Sequence, residues 1–215
     1  MQINTETAKN VAESLLQIKA IELNKLTPFT WASGWKSPIY CDNRKTLSYP
    51  KVRTFIRQKF VEAIHENFGQ VDVIAGVATG GIAMAALIAQ ELELPLVYVR
   101  SSSKGHGLQN QVEGVVGQGQ RVVVIEDLIS TGMSSLKAVD ALRETDCHVV
   151  GMIAIFTYGF DHAKENFRNY KCPLYTLSDY DNMVEIAAEK EYINNEDIES
   201  LKNWRKDPAN WSVKV

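Results

Sequence analysis

Residues 121–136 read RVVVIEDLISTGMSSL, from Arg121 to Leu136, and the order of residue types in this stretch decides the fold. The apolar run from Val122 to Ile125 suits a strand buried on both faces. Two carboxylates, Glu126 and Asp127, stand at its carboxyl end. Ser130, Thr131, Gly132, Met133 and Ser134 then lead into a helix predicted over Gly132 to Glu144. In parallel α/β sheets, ligands bind outside the carboxyl ends of the strands. A Ser/Thr/Gly turn at a helix N-terminus offers free backbone N–H groups, hydroxyl donors and the positive end of the helix dipole. Gly132 lets the backbone approach an anion closely. The turn therefore suits a phosphate, and the two carboxylates before it suit sugar hydroxyls. A ligand carrying a phosphate about one ribose away from a diol matches both.

Working outward, the same alternation continues. Val71–Val77 and Leu96–Arg100 read as strands, Gly80–Leu92 as a helix between them, and His148–Phe156 as a further strand. Strands alternating with helices predict a central, mostly parallel sheet flanked by helices. Ser101–Gln120 holds five glycines and few large apolar residues, which predicts a mobile loop. Upstream, Thr5–Leu23 has apolar residues at helical spacing. Leu26–Arg44 is rich in aromatic and turn residues, with a hairpin turn expected at Ser33-Gly34. Ser48, with Pro50 behind it, is expected to open a second helix reaching about Asn67. Ile193–Trp204 is strongly charged and reads as one or two surface helices. One domain over residues 1–215 is the simplest account, with no repeat or linker.

The bulk numbers agree with a globular enzyme-sized chain. It has 215 residues, 45% hydrophobic and 23% charged, with 23 basic and 26 acidic side chains and a net charge of −3. A mildly acidic chain has no global attraction to nucleic acid or to an anionic membrane. Cys41, Cys147 and Cys172 are too few and too irregularly spaced for a disulfide framework or a zinc site, so reduced thiols are expected. The N-terminal residues lack the basic start and apolar run of a signal peptide, and a cytoplasmic location is expected. No GxxxxGK element is present, which excludes a P-loop, and no GxGxxG follows a strand.

Two further segments suit an anion. Gly76–Ile82, GVATGGI, runs from a strand into a helix and exposes backbone N–H groups. Arg100–Gly107, RSSSKGHG, places Arg100, Lys104 and His106 close together in a glycine-rich stretch.

The order from Val122 to Ser134 closely resembles the signature of type I phosphoribosyltransferases. That resemblance implies that Glu126 and Asp127 bind the ribose hydroxyls, that Ser130, Thr131, Gly132, Met133 and Ser134 hold the 5-phosphate of phosphoribosyl pyrophosphate, and that Leu128 and Ile129 also belong to the donor-binding segment. It also implies a pyrophosphate loop at Thr79 and Gly80, with a cis peptide near Ala78-Thr79. Magnesium is implied as cofactor, held mainly by the substrate's pyrophosphate and ribose oxygens rather than by a protein metal site. Phe29–Arg44, FTWASGWKSPIYCDNR, resembles the N-terminal hood of the orotate phosphoribosyltransferases. The hood is expected mainly in residues 24–45 plus the C-terminal segment, and the core at about residues 50–180.

In the orotate enzymes a flexible loop carries Arg, Lys and His onto the pyrophosphate of the neighbouring subunit. Arg100, Lys104 and His106 match it, so a homodimer with the 101–118 loop acting in trans is implied. Asp127, Lys104 and His106 are the candidate catalytic residues, and Ser130, Lys36 and Arg44 the candidate orotate contacts. Tyr40 and the backbone near Pro38 are candidates for an apolar wall. For Trp31, Trp35 and Tyr40 both packing and ligand contact stand open. Three departures matter. Ser101 replaces a frequent Lys, Ala32 replaces a Lys of some relatives, and the Arg that some relatives carry after the strand ending in IFTYGF is missing. Arg44 is the expected replacement for the lost contact to the orotate carboxylate. The competing readings are a purine or uracil phosphoribosyltransferase, and a non-catalytic regulator that senses phosphoribosyl pyrophosphate.

Overall fold

The structure is a computed structural model and describes residues 4–24, 27–31, 34–101 and 111–211. Helix α1 (Thr5–Gln17) starts where the Asn4 side chain accepts a hydrogen bond from the Thr7 N–H at 2.6 Å, which satisfies one of the unpaired donors of a first turn. Val11, Ala12, Leu15 and Leu16 give it a buried face. The helix stops at Gln17, not near Leu23. Lys19 takes a φ of 53°, a left-handed turn that closes helices. Ile21–Leu23 then forms strand β1. Ile21 continues the apolar helical spacing and suits a strand equally well, and a strand partner later in the chain decides between them.

The next elements are short. Strands β2 (Phe29–Thr30) and β3 (Lys36–Ser37) make the expected antiparallel hairpin. Gly34, with a φ of 86°, lies in its turn, while Ser33 lies outside the described residues. Strand β4 (Ile39–Cys41) is the partner of β1, in antiparallel register. A 3-10 helix over Asn43–Ser48 follows, and α2 (Pro50–Phe68) begins after it. Ser48 thus ends one helix and does not open the next. Tyr49 is the cap, and Pro50 occupies a first-turn position whose N–H has no partner in any helix.

The core is then laid down in order: β5 (Val73–Val77), α3 (Gly80–Glu91), β6 (Leu96–Val99), β7 (Val112–Glu113), β8 (Arg121–Ile129), α4 (Met133–Arg143), β9 (His148–Thr157), α5 (Asp161–Asn169), β10 (Leu174–Asp179), α6 (Tyr180–Glu189) and α7 (Asn195–Lys206). The sheet order is β10-β9-β8-β5-β6-β7, parallel from β10 to β6 with β7 antiparallel at the edge. Every residue of β5, and Val122–Ile125 of β8, is buried. Consecutive burial along a strand means that both faces are covered. Each such valine or isoleucine contributes roughly 1.5–3 kcal/mol of transfer free energy.

Two expectations need correction here. Ser101–Gln120 is not wholly loop. Val112 and Glu113 pair with Val99 and Tyr98, which satisfies backbone groups that an open sheet edge leaves unpaired, and Val112 packs against the core. Residues 102–110 of that segment lie outside the described residues. The C-terminal helix is not a surface helix alone. Within α7, Leu201 is buried and Trp204 has no exposed surface. Charge on the outer face hides an inner stripe that an aromatic cluster receives. The elements α5, β10 and α6 were not assigned from sequence.

Candidate active site

The topology sets β5 beside β8, with Gly76 opposite Ile125. The turns that follow these two strands are therefore neighbours at one edge of the sheet. After β8, the chain passes Glu126 and Asp127 within the strand and then turns through Ser130 and Thr131 into α4. Gly132 caps α4 with a φ of 79°, and a Cβ there would lie 2.6 Å from the Phe167 ring. Only glycine meets both demands without strain. No side chain caps α4 or α3, so their first-turn N–H groups stay available to an anion. The Thr131 carbonyl accepts from the Asn166 amide at 3.1 Å, which ties the turn to α5.

After β5 comes the second turn. The Ala78-Thr79 peptide is cis, and Gly80 begins α3. A Cβ built on Gly80 would overlap the Asp127 carboxyl group, with Oδ1 at 2.6 Å. The Asp127 carboxylate thus rests directly on the Thr79–Gly80 turn. Sequence positions far apart are thus brought together at the carboxyl ends of two neighbouring strands: a carboxylate and two helix N-termini without side-chain caps.

The two acids are not equivalent. Glu126 is buried. Its Oε2 accepts from the Ser135 hydroxyl at 2.8 Å and its Oε1 from the Asp127 N–H at 3.0 Å. Burial, reinforced by the negative charge of Asp127, pushes its carboxyl well above the usual carboxylate range. Asp127 is the carboxylate presented outward, partly exposed. Behind it, the Asn43 amide donates to the Asp127 carbonyl at 2.6 Å. Asn43 and Ser135 were missed from sequence because their partners are visible only in three dimensions.

Of the candidate base-binding residues, Ser130 lies in the turn between β8 and α4, while Lys36 and Arg44 sit on the elements before α2. The Lys36 ammonium donates to the Thr30 hydroxyl at 2.7 Å, and the Lys36 carbonyl accepts from the Trp204 indole at 3.1 Å. Arg44 pairs through Nε with Asp42 at 2.7 Å and is more than half exposed. The hydrogen bond to Asp42 chiefly favours its charged form, and the negative charge of Asp127 adds to this. Arg44 therefore lies within electrostatic range of the outward carboxylate. Arg100 follows β6, and its guanidinium pairs with Glu113 at 3.4 Å. Lys104 and His106 lie outside the described residues.

Trp31 is a packing residue: its ring centroid lies 4.8 Å from Tyr158 and 5.5 Å from Trp204. Trp35 lines a cleft of about 410 Å³ with Phe160, His162 and Arg205. Tyr40 is exposed and stands 5.5 Å from Phe29. Cys41, Cys147 and Cys172 are free and buried. Among the described residues, no helix is long and apolar enough to cross a membrane.

A strand-and-turn pair of this kind, on this sheet, defines a phosphoribosyl-transfer protein, and the model of the phosphoribosyl transferase domain matches residues 49–190. The chain is 59% identical to an orotate phosphoribosyltransferase of Bacteroides thetaiotaomicron over 202 residues, covering 94% of this chain and 95% of that one. It is likewise 59% identical to the Phocaeicola vulgatus orotate phosphoribosyltransferase over 95% of this chain and 97% of the relative. The crystal structure of the Aeropyrum pernix orotate phosphoribosyltransferase superposes with a TM-score of 0.74 at 29% identity, over 86% of this chain and 99% of that one. The chain belongs to the phosphoribosyltransferase family and, within it, to the orotate phosphoribosyltransferases.

Proposed function

We propose that this chain transfers the ribose 5-phosphate group from phosphoribosyl pyrophosphate to orotate, giving orotidine 5-phosphate and pyrophosphate in pyrimidine nucleotide synthesis. The single observation that carries the reading is the contact between Asp127 and the Thr79–Gly80 turn, beside the start of α4. It supports a donor bound with its 5-phosphate on residues 130–134, its ribose diol at the Glu126–Asp127 pair, of which Asp127 faces outward, and its pyrophosphate on Thr79 and Gly80. Substitution at the anomeric carbon breaks the bond to pyrophosphate as the bond to the base nitrogen forms, and positive charge builds on the ribose in the transition state. A fixed carboxylate near the ring stabilises that charge. Glu126, turned inward on Ser135, supports Asp127 from behind.

Magnesium fits this donor set as an ion carried mainly by substrate oxygens. Asp127 is the outward carboxylate beside it, and the substrate's pyrophosphate and ribose oxygens would supply most of the ligands. When bound, the ion would neutralise charge on the leaving pyrophosphate. Arg100 serves the same pyrophosphate, with Lys104 and His106 brought by the neighbouring subunit of a homodimer. Lys36, Arg44 and Ser130 contact orotate, with Arg44 on its carboxylate. The protein works in the cytoplasm.

The decisive experiment follows orotate consumption spectrophotometrically with phosphoribosyl pyrophosphate and magnesium, beside hypoxanthine, adenine and uracil as acceptors. Turnover of orotate alone is expected. Turnover of a purine without orotate would overturn the assignment.

A further inference from the structure

We propose that Asn43 is a positioning residue that sets the Asp127 carboxylate in register with the Gly80 turn; this rests on the role given to Asp127 above. Asn43 is 1% exposed, yet it belongs to a 3-10 helix outside the sheet. Its amide is oriented from both ends. Oδ1 accepts from the Cys41 thiol at 3.3 Å, and Nδ2 donates to the Asp127 carbonyl at 2.6 Å. Burial, with the charge of Asp127 adding to it, raises the Cys41 thiol and keeps it a donor. The backbone is fixed as well, since the Thr46 hydroxyl donates to the Asn43 carbonyl at 2.6 Å.

Asp127 therefore carries restraints from three directions. Asn43 holds its carbonyl, Glu126 accepts from its N–H, and Gly80 lies under its carboxylate. The first restraint comes from the segment that also carries Arg44, one residue on, and Arg44 feels the charge of Asp127. The same short helix thus fixes a candidate base contact and the candidate ribose carboxylate relative to each other. A side chain that holds a reacting group through its backbone acts on turnover more than on substrate affinity, because about 1 Å of misplacement costs up to about 100-fold.

The test uses Asn43→Asp, which keeps the shape but turns an acceptor toward the Asp127 carbonyl, and Asn43→Ser, which shortens the side chain. Thr46→Val is the control: it removes a buried bond to the same residue while leaving the amide in place. The expected result is a fall in kcat of about tenfold or more for both Asn43 variants, per folded molecule, with the Michaelis constants of both substrates within about threefold. Thr46→Val should lower the melting temperature and leave kcat within about twofold. Wild-type turnover in the Asn43 variants would overturn the proposal, and so would an equal loss of turnover in Thr46→Val. Should Asn43→Asp not fold, Asn43→Ser decides. Asp127→Asn run in parallel separates the two ideas. If it turns over normally, the role given to Asp127 fails. If it is severely impaired while the Asn43 variants are normal, only the positioning role fails.

Discussion

Gly80→Ala isolates the contact on which the site rests. The new Cβ would overlap the Asp127 carboxyl group, with Oδ1 at 2.6 Å, so that group must shift by on the order of 1 Å to restore ordinary contact, a displacement worth up to about 100-fold in rate. Converted at about 1.4 kcal/mol per tenfold, that is about 2.7 kcal/mol of transition-state stabilisation. The effect on stability is far smaller. Pushing the Asp127 side chain off its rotamer costs about 0.5–1.5 kcal/mol, and replacing glycine by alanine at a helical position returns up to about 1 kcal/mol. Gly80 also has a backbone that alanine can adopt, since its φ is not positive. The melting temperature should therefore stay within about 4 °C of wild type, while orotate turnover, measured at saturating substrates per folded molecule, falls about 10- to 100-fold. Gly81→Ala makes the contrast. Its Cβ would strike the Ile125 carbonyl oxygen of β8, a strand atom that cannot move aside, so it should destabilise the fold by about 1–3 kcal/mol or more. Turnover of Gly80→Ala within about twofold of wild type would refute the reasoning, as would a collapse of its melting temperature comparable to that of Gly81→Ala.

Three further outcomes follow from the geometry. Arg44→Ala should raise the Michaelis constant for orotate by about tenfold or more, that of a lost charge-assisted contact, with little change for the ribosyl donor; initial-rate kinetics with each substrate varied check it, and equal effects on both would count against a carboxylate contact. Trp204→Ala empties a site with no exposed surface, surrounded by Trp31, Tyr158, Phe160 and Tyr180, and should cost about 3–5 kcal/mol in chemical denaturation. Burial first, and then the charge of Asp127, raise the Glu126 carboxyl, so the folded chain keeps a proton that the unfolded chain releases. That contribution to stability is fully present below the unfolded carboxylate value and is lost as pH rises through the folded value. Melting curves of wild type and Glu126→Gln over about pH 4 to 8 should converge at the acid end, with the variant declining less toward neutrality; parallel curves would refute it.

Strands β5, β8 and most of β9 were legible because a strand buried on both faces reads as a continuous apolar run, while β6, whose burial alternates, was legible as a short β-branched and aromatic run between Pro95 and Arg100. The turn after β8 was legible because its chemistry is local: two carboxylates, then hydroxyls and a glycine that takes a φ of 79°. Helix α1 was overextended because Ile21 continues the apolar helical spacing, and only the pairing of Ile21–Leu23 with β4 shows that the chain is a strand there. Trp204 was hidden in a charged segment for the same reason, since a helix with a polar outer face shows its buried stripe only when the partner rings of Trp31 and Tyr158 are in place.

By itself, the sequence determined that this chain carries an acidic pair and a phosphate turn at the end of a buried strand, for those signals lie within residues 121–136. Only the tertiary structure decided how the two members of the pair are placed. Glu126 turns inward to Ser135, and Asp127 lies on Gly80 with its backbone held by Asn43. The reason is range. Strand and turn propensities act over a few neighbouring residues, whereas the orientation of a carboxylate is set by the atoms packed around it. Here those atoms come from the first turns of α3 and α4 and from a short helix 84 residues away in the chain.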